Sequence, residues 1–539
     1  MLRLFISFLI LFVIKVDLFG QNRYMVFFTD KDNTPYSINE PLTFLSQRSL
    51  DRRAKNGFEV TEDDLPVDPT YVSQLSSLGA GVYFTSRWFN AALVQMNTSL
   101  EDEVAGLSFV DSLLLVALDP KLSKDQVPIE IATSFITPDQ TNYSTNLQND
   151  MLGIDIASGD GLTGEGILIA VLDGGFAGVN NSSPFQHLHE SGQIIGVKDF
   201  VTNSGNPYLD GIAHDHGTKV LSTMAGIFEP HFNGIATASD YLLLVTEEVE
   251  EENPVEEWNW VLGTEYADSA GADVINSSLG YGIYFDDIAD YPSSVFDGKT
   301  TVPAIAANLA AERGILIVTS VGNDGTEKPV LSPADSPDVL AVGATTYTGG
   351  RASFSTTGPT ADGRLKPDVS AVGQGTIVID KNASIAPGNG TSFSSPLIAG
   401  LVALVIEAYP DLTVSQLLNL IRITGNQIQS PDNQLGYGIP SYSRIESNVN
   451  ETLLGFEDVQ SNIKIYPSPF EDQFSIEGNL SSFNSYQLYD LWGKVILSGN
   501  IDPGIEELKI HFEEPVKQGL YLFILQSGNN KSVFKVIKR

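Results

Sequence analysis

The chain has 539 residues, 67 Asp and Glu against 30 Lys and Arg, a net charge of −37, and 42% hydrophobic and 18% charged residues. That length exceeds what one hydrophobic core supports and the composition is that of a folded chain, which excludes both a single small module and a disordered polymer. A field this negative repels phosphate backbones and anionic lipid surfaces, so nucleic acid is excluded as an expected partner.

Residues 1–20 place Arg3 ahead of an apolar run at 4–14 and end on small Gly20. That order is the layout of a secretory signal peptide, and the run is short for a bilayer span. No later segment is apolar for long enough to cross a membrane, so no integral membrane segment is expected after signal removal. Export leads to an oxidising compartment, yet the chain has no cysteine. Thiol catalysis and Cys-ligated zinc are thereby excluded, and packing, with structural calcium as an option, must hold the fold.

Residues 21–120 open on Tyr24-Met25-Val26-Phe27-Phe28, pass a polar, basic, helix-like stretch at 47–55 and return to apolar runs at 91–94 and 113–116. This is a small α+β pattern. Residues 121–149, rich in Pro, Thr, Asn and Gln, read as a linker or processing region.

From 150 to 445, strand-like runs at 167–172, 241–245, 274–276, 315–320 and 339–343 alternate with helical ones at 217–225, 254–270, 303–313, 392–408 and 413–423. Continuous apolar strands separated by helices predict an α/β body, a parallel sheet flanked by helices, with ligands at the carboxyl ends of its strands. The acidic run at 247–257 reads as a solvated loop and helix start; a cation site and a preference for basic substrate residues stay open as alternatives. A polar stretch at 441–452 precedes a strand-rich tail, 455–539, patterned as a small β-sandwich.

Three side chains stand where such a sheet exposes groups to a ligand. Asp173 ends the run 167–172 and could orient a histidine; His216 precedes an apolar helix whose positive end keeps an imidazole neutral; Ser392 opens another such helix, whose N–H groups could meet an oxyanion. Each has an ordinary alternative as a turn, a polar surface group or a helix cap, and Ser394 and Ser395 compete with Ser392 by position alone. The order Asp, His, Ser is one of the known chain orders of a catalytic triad.

The motifs Val171-Leu172-Asp173-Gly174-Gly175, His216-Gly217-Thr218 and Gly390-Thr391-Ser392-Phe393-Ser394-Ser395-Pro396 resemble the three signature segments of the subtilase serine peptidases. The resemblance implies a subtilisin-like fold over 150–445, with Asp173, His216 and Ser392 catalytic. Ser320-Val321-Gly322-Asn323-Asp324-Gly325 resembles the family's oxyanion segment and implies an amide donor at Asn323. Asn276-Ser277-Ser278-Leu279-Gly280 resembles the segment that pairs with substrate backbone, implying substrate binding at Ser278, Leu279 and Gly280. Departures are Gly174 for the usual Ser or Thr, Lys219 for a second histidine and Phe393 for Met.

Two His-x-His pairs, His187 with His189 and His214 with His216, leave a zinc site as a rival, although no His-Glu-x-x-His helix accompanies them. The small N-terminal domain resembles the propeptide of secreted subtilases, implying a folding aid that blocks the cleft until processed; a retained domain is the alternative. The tail carries Ile465-Tyr466-Pro467-Ser468-Pro469-Phe470, Leu491-Trp492-Gly493-Lys494, Gly519-Leu520-Tyr521 and a basic end, and resembles the sorting domain of type IX secretion in Bacteroidetes, with Ser468 for the usual Asn. It implies a secretion translocon as partner, and a binding β-sandwich is the alternative. The sequence thus leads to a secreted or cell-surface serine endopeptidase acting on proteins or peptides, with no cofactor for catalysis and no metal in the site. A catalytically silent adhesin on the same scaffold is the reading from another class.

Overall fold

The computed structural model describes residues 21–539 apart from 119–121, 124–125, 140–141, 210–213, 249–251, 284, 286–289, 456–463, 467–469, 471, 478–479, 481–482, 490–494, 503–504, 506, 513–515, 518 and 528–529. The expected signal segment 1–20, the centre of the Tyr-Pro-Ser-Pro motif, the 491–494 motif and part of the acidic run lie outside the described residues. The chain divides into two units, Met1–Ser447 and Asn448–Arg539.

The first unit opens with β1 (Gln21–Phe28), α1 (Gln47–Lys55), α2 (Pro69–Ser77), β2 (Gly81–Ser86), β3 (Ala91–Asn97), α3 (Glu101–Ala105) and β4 (Val110–Ala117). The strands form an antiparallel sheet in the order β2-β3-β1-β4. Side chains alternate across it, as the strand period requires. Tyr24, Val26 and Phe28 pack with Tyr71 and Phe109 in the domain's own core, whereas Met25, Phe84 and Leu93 join the large core of the α/β body beside Trp258 and Ala306. The small α+β domain is therefore docked through one face of its sheet.

That body is built on β5 (Leu168–Asp173), β6 (Ile194–Asp199), α4 (His216–Ala225), β7 (Asp240–Val245), α5 (Val255–Ala270), β8 (Val274–Ser277), α6 (Val302–Glu312), β9 (Leu316–Ser320), β10 (Val339–Thr345), β11 (Val369–Val372), β12 (Gln374–Ile379), β13 (Ile385–Asn389), α7 (Thr391–Ala408) and α8 (Val414–Ile423). Seven parallel strands run in the order β11-β10-β9-β8-β5-β7-β6. All six residues of β5 are buried, as are all seven of β10, the signature of strands covered on both faces. Among the described residues, α7 is the one helix long and apolar enough to cross a membrane, and 89% of it is buried inside this fold.

Residues 121–149 differ from a free linker. Backbone N–H groups of Ser123, Val127, Ala132 and Ile136 donate to carbonyls of Thr202 (2.8 Å), Ser204 (2.7 Å), Asn180 (3.0 Å) and Asn181 (2.6 Å). A segment without its own ladder satisfies its polar backbone on its neighbour, and such bonds leave no side-chain pattern to read in advance.

The second unit carries β14 (Lys464–Tyr466), β15 (Gln473–Glu477), β16 (Ser485–Tyr489), β17 (Val495–Asn500), β18 (Glu507–His511), β19 (Gly519–Ser527) and β20 (Asn530–Lys538). One sheet has the order β14-β15-β18 and the other β17-β16-β19-β20. Phe474, Ile476 and Ile510 of the first share a core with Leu488, Phe523 and Leu525 of the second, the expected sandwich.

Candidate active site

Asp173 closes β5 at the carboxyl edge of the sheet and is fully buried; its Oδ1 lies 2.8 Å from His216 Nδ1. The same oxygen accepts the Gly174 N–H at 2.8 Å, and Oδ2 is buried with no hydrogen-bond partner. His216 is the first residue of α4 and its side chain is 30% exposed. Burial pulls its imidazole down, but the Asp173 carboxylate, by charge and hydrogen bond, raises it above its ordinary 6.5. The helix start comes this close to the strand end because position 217 is glycine: a Cβ there would stand 2.5 Å from Gly175 O and 3.0 Å from Asp173 Cβ. Thr218 Oγ1 fixes the approach by donating to Ala177 O at 2.6 Å.

Ser392 is the second residue of α7. Gly390 before it holds φ 153°, ψ 149°, a conformation open to glycine alone. The three serines, all buried, differ in bonding and in what they border. Ser394 is buried and donates to Thr391 O (3.0 Å), and Ser395 is buried and donates to Asn276 Oδ1 (2.9 Å), while Ser392 lines a cavity of about 180 Å³ with Ser278, Leu279, Gly280 and Asn323. Among the described hydrogen bonds none joins Ser392 Oγ to His216; the ring of the next residue, Phe393, lies 5.9 Å from the His216 ring.

Asn323 follows β9 and is exposed. Its Oδ1 accepts both the N–H (2.8 Å) and the hydroxyl (3.0 Å) of Thr391, which fixes the carboxamide and leaves its NH₂ group as the remaining donor of a residue that lines the cavity beside Ser392. Leu279 and Gly280 form another wall. Ser278 lines the same cavity; it is 6% exposed and its hydroxyl donates to Ser392 O at 2.9 Å. It therefore anchors the start of α7 while sharing the cavity wall with Leu279 and Gly280.

Thr391 and Asn276 were not singled out for function by sequence, and Ser395 only as a competing nucleophile, yet they hold Asn323 and α7 in place. Their signal was only adjacency to motifs already chosen. Of the histidines behind the zinc alternative, His187 and His189 lie on a short helix, where His189 Nε2 is bonded to Val179 O (3.1 Å). Among the described residues, the group of three side chains that could share a metal ion contains Glu247, Glu252 and Glu256 and no histidine. The solvated reading of the acidic run is corrected at its helix start, because Glu256 and Glu257 are each 1% exposed, covered where α5 packs into the core.

Known families match three stretches of the chain. The pattern of the subtilase family matches residues 164–438, that of the peptidase S8 propeptide domain of Bacteroidota matches 23–129, and that of the secretion system C-terminal sorting domain matches 464–539. Subtilisin from Bacillus pumilus is 30% identical over 274 residues, covering 50% of this chain and 87% of that protein. Subtilisin amylosacchariticus from Bacillus subtilis subsp. amylosacchariticus is 30% identical over 272 residues, 50% of this chain, and the match spans 62% of that relative's length. A solved epidermin leader peptide processing serine protease from Staphylococcus aureus, 14% identical, superposes with a TM-score of 0.53 over 79% of this chain and 99% of its own, a likeness of fold. The propeptide and sorting domains point to a secreted or cell-surface protein.

Proposed function

This chain belongs to the subtilase family, and we propose that it is a serine endopeptidase that cleaves protein or peptide substrates through an acyl-enzyme. Ser392 Oγ attacks the scissile carbonyl, His216 takes its proton and returns it to the leaving amine, and Asp173 holds the imidazole. The Asn323 amide and the Ser392 N–H receive the oxyanion, and Leu279 and Gly280 pair with substrate backbone. Water then hydrolyses the ester. The observation that carries this reading is the 2.8 Å Asp173–His216 contact at the strand edge beside a cavity lined by both Ser392 and Asn323.

For the acyl step, the Ser392 hydroxyl must come within hydrogen-bond reach of His216 Nε2, a contact that commonly tightens only when substrate is bound. No metal takes part in the step. The tail, by its sorting pattern, would be recognised by a type IX secretion translocon.

Labelling of the purified full chain with a fluorophosphonate tests the reading. Wild type acquires one label per active chain and hydrolyses casein, and Ser392→Ala loses both while keeping its melting temperature. A folded wild type that never labels, with or without its N-terminal domain cleaved, would instead support a silent adhesin on this scaffold.

A further inference from the structure

We propose that His214 is a positioning residue for the peptidase reaction read above, on which this inference rests: its neutral ring holds the first turn of α4, and a proton on that ring releases the turn. His216 opens α4, so its backbone N–H is one of the donors that no carbonyl of the helix can reach. His214 Nδ1 accepts that N–H at 3.1 Å. The bond is the histidine counterpart of an Asx turn, because Nδ1 stands where Oδ1 stands in asparagine.

The backbone of the same residue reaches the other side of the junction. Its N–H donates to Gly174 O at 3.0 Å, one residue beyond Asp173. His214 therefore ties the strand end that carries the carboxylate to the helix start that carries the imidazole, the two ends that the 2.8 Å Asp173–His216 contact joins. Asp215, at the cap position, makes no side-chain bond to the helix start, so the ring of His214 supplies it.

Such an acceptor exists in one protonation state only. A neutral imidazole with its hydrogen on Nε2 leaves Nδ1 bare, whereas a cationic one carries hydrogen on both nitrogens and accepts nothing. The side chain of His214 is 50% exposed, so protons reach it from solvent. Once it is charged, the Nδ1–H has a carboxylate to turn to, Asp215 Oδ1 at 3.6 Å, which already accepts Lys219 Nζ at 3.0 Å. The positive end of α4 repels a cation that stays in place.

The charged groups around the two rings come from four places. Asp173 of β5, Lys219 of α4 and Asp215 at its start act on His216 most strongly. Glu247, after β7, feels the Asp173 carboxylate, and Lys381, in the turn between β12 and β13, donates its N–H to Asp215 Oδ2 at 3.5 Å. From α7 comes the uncharged ring of Phe393, 5.9 Å from that of His216. Cleavage is therefore lost through two protonations: His216 must be neutral to act as a base, and His214 must be neutral to hold it.

Hydrogen exchange of the His216 amide in the full-length Ser392→Ala chain reads the bond without turnover. At about pH 8 that amide is about three- to tenfold better protected with His214 or His214→Asn than with His214→Ala; at about pH 5 the His214 chain drops to the His214→Ala level while His214→Asn keeps its protection. Cleavage by the active chain follows the same pattern. At the higher pH His214→Ala lowers kcat by about three- to tenfold with KM unchanged and His214→Asn restores it, and at the lower pH His214→Asn outruns wild type by that factor. Comparing variants at one pH cancels the titration of His216, which all of them share. Equal protection in the three chains, or a ratio of His214→Asn to wild type that does not change with pH, overturns the proposal. Should no chain cleave, the peptidase reading fails by itself, and the exchange pattern still decides whether His214 clamps the helix.

Discussion

At Asp173 one carboxylate oxygen carries the whole burden of orientation. Oδ1 meets both His216 and the Gly174 N–H, while Oδ2 is buried with no donor. An unsatisfied buried acceptor is costly, and the subtilase pattern places a hydroxyl residue where this chain has Gly174. His216 is raised above 6.5 chiefly by this carboxylate acting against burial, and a general base works only when neutral. Activity should therefore fall as pH drops through a value higher than an ordinary histidine's. In Gly174→Ser the new hydroxyl donates to Oδ2, stabilises the carboxylate and weakens its pull on the imidazole. The acid limb of kcat/KM is then expected to move down by a few tenths of a pH unit, with no loss of thermal stability. A limb that stays put or moves up would mean that Oδ2 is satisfied some other way.

Among elements, the meeting of β5 with α4 sets the distance from carboxylate to imidazole. Gly217 admits that meeting, since any side chain there collides first with backbone at Gly175 O. Gly217→Ala is expected to destabilise the fold by about 1–3 kcal/mol and to lower kcat/KM more than tenfold, because relief of the clash moves His216 away from Asp173. Thermal melts and progress curves check this, and an unchanged kcat/KM would show that the helix start is free to shift. The strands and helices around this junction were legible because burial on both faces leaves continuous apolar runs such as those of β5 and β10, and because the Asp173, His216 and Ser392 motifs sit at their ends. Ser278 borders the cavity, yet the bond from its hydroxyl to Ser392 O was not legible, because a strand's alternation fixes which face a side chain takes only while the strand lasts, and β8 ends at Ser277. The acidic run was read as solvated because glutamate is rarely buried, a rule that fails at Glu256 and Glu257, where the fold closes over them.

Within the first unit, the docking of the N-terminal domain is held by charge as well as by the apolar face of its sheet. Asp268 of α5, fully buried, is paired with Arg52, Arg53 and Arg87 of that domain. Asp64 pairs in turn with Arg53 (3.1 Å) and with Arg313 of the body (2.7 Å). Burial alone would push the Asp268 carboxyl up, but the guanidiniums of Arg87, Arg52 and Arg53 hold it below its ordinary value. Asp64 behaves alike: burial opposes ionisation, and Arg313 and Arg53 bring it down to about 2. For a depressed carboxylate the stabilisation is complete above the ordinary 3.8 and is lost only as pH falls toward about 2, so mild acid should not loosen this contact. Removing one partner is another matter, because three buried guanidiniums would then face an empty position. Asp268→Ala is expected to destabilise the full chain by about 3–5 kcal/mol and to expose the N-terminal domain to limited proteolysis near neutral pH. Asp268→Asn, which keeps the volume and some hydrogen bonds, should fall between the variant and wild type. If Asp268→Ala melts with wild type and resists protease equally, the ion network does not hold the domain in place, and the Met25, Phe84 and Leu93 face would have to account for the docking alone.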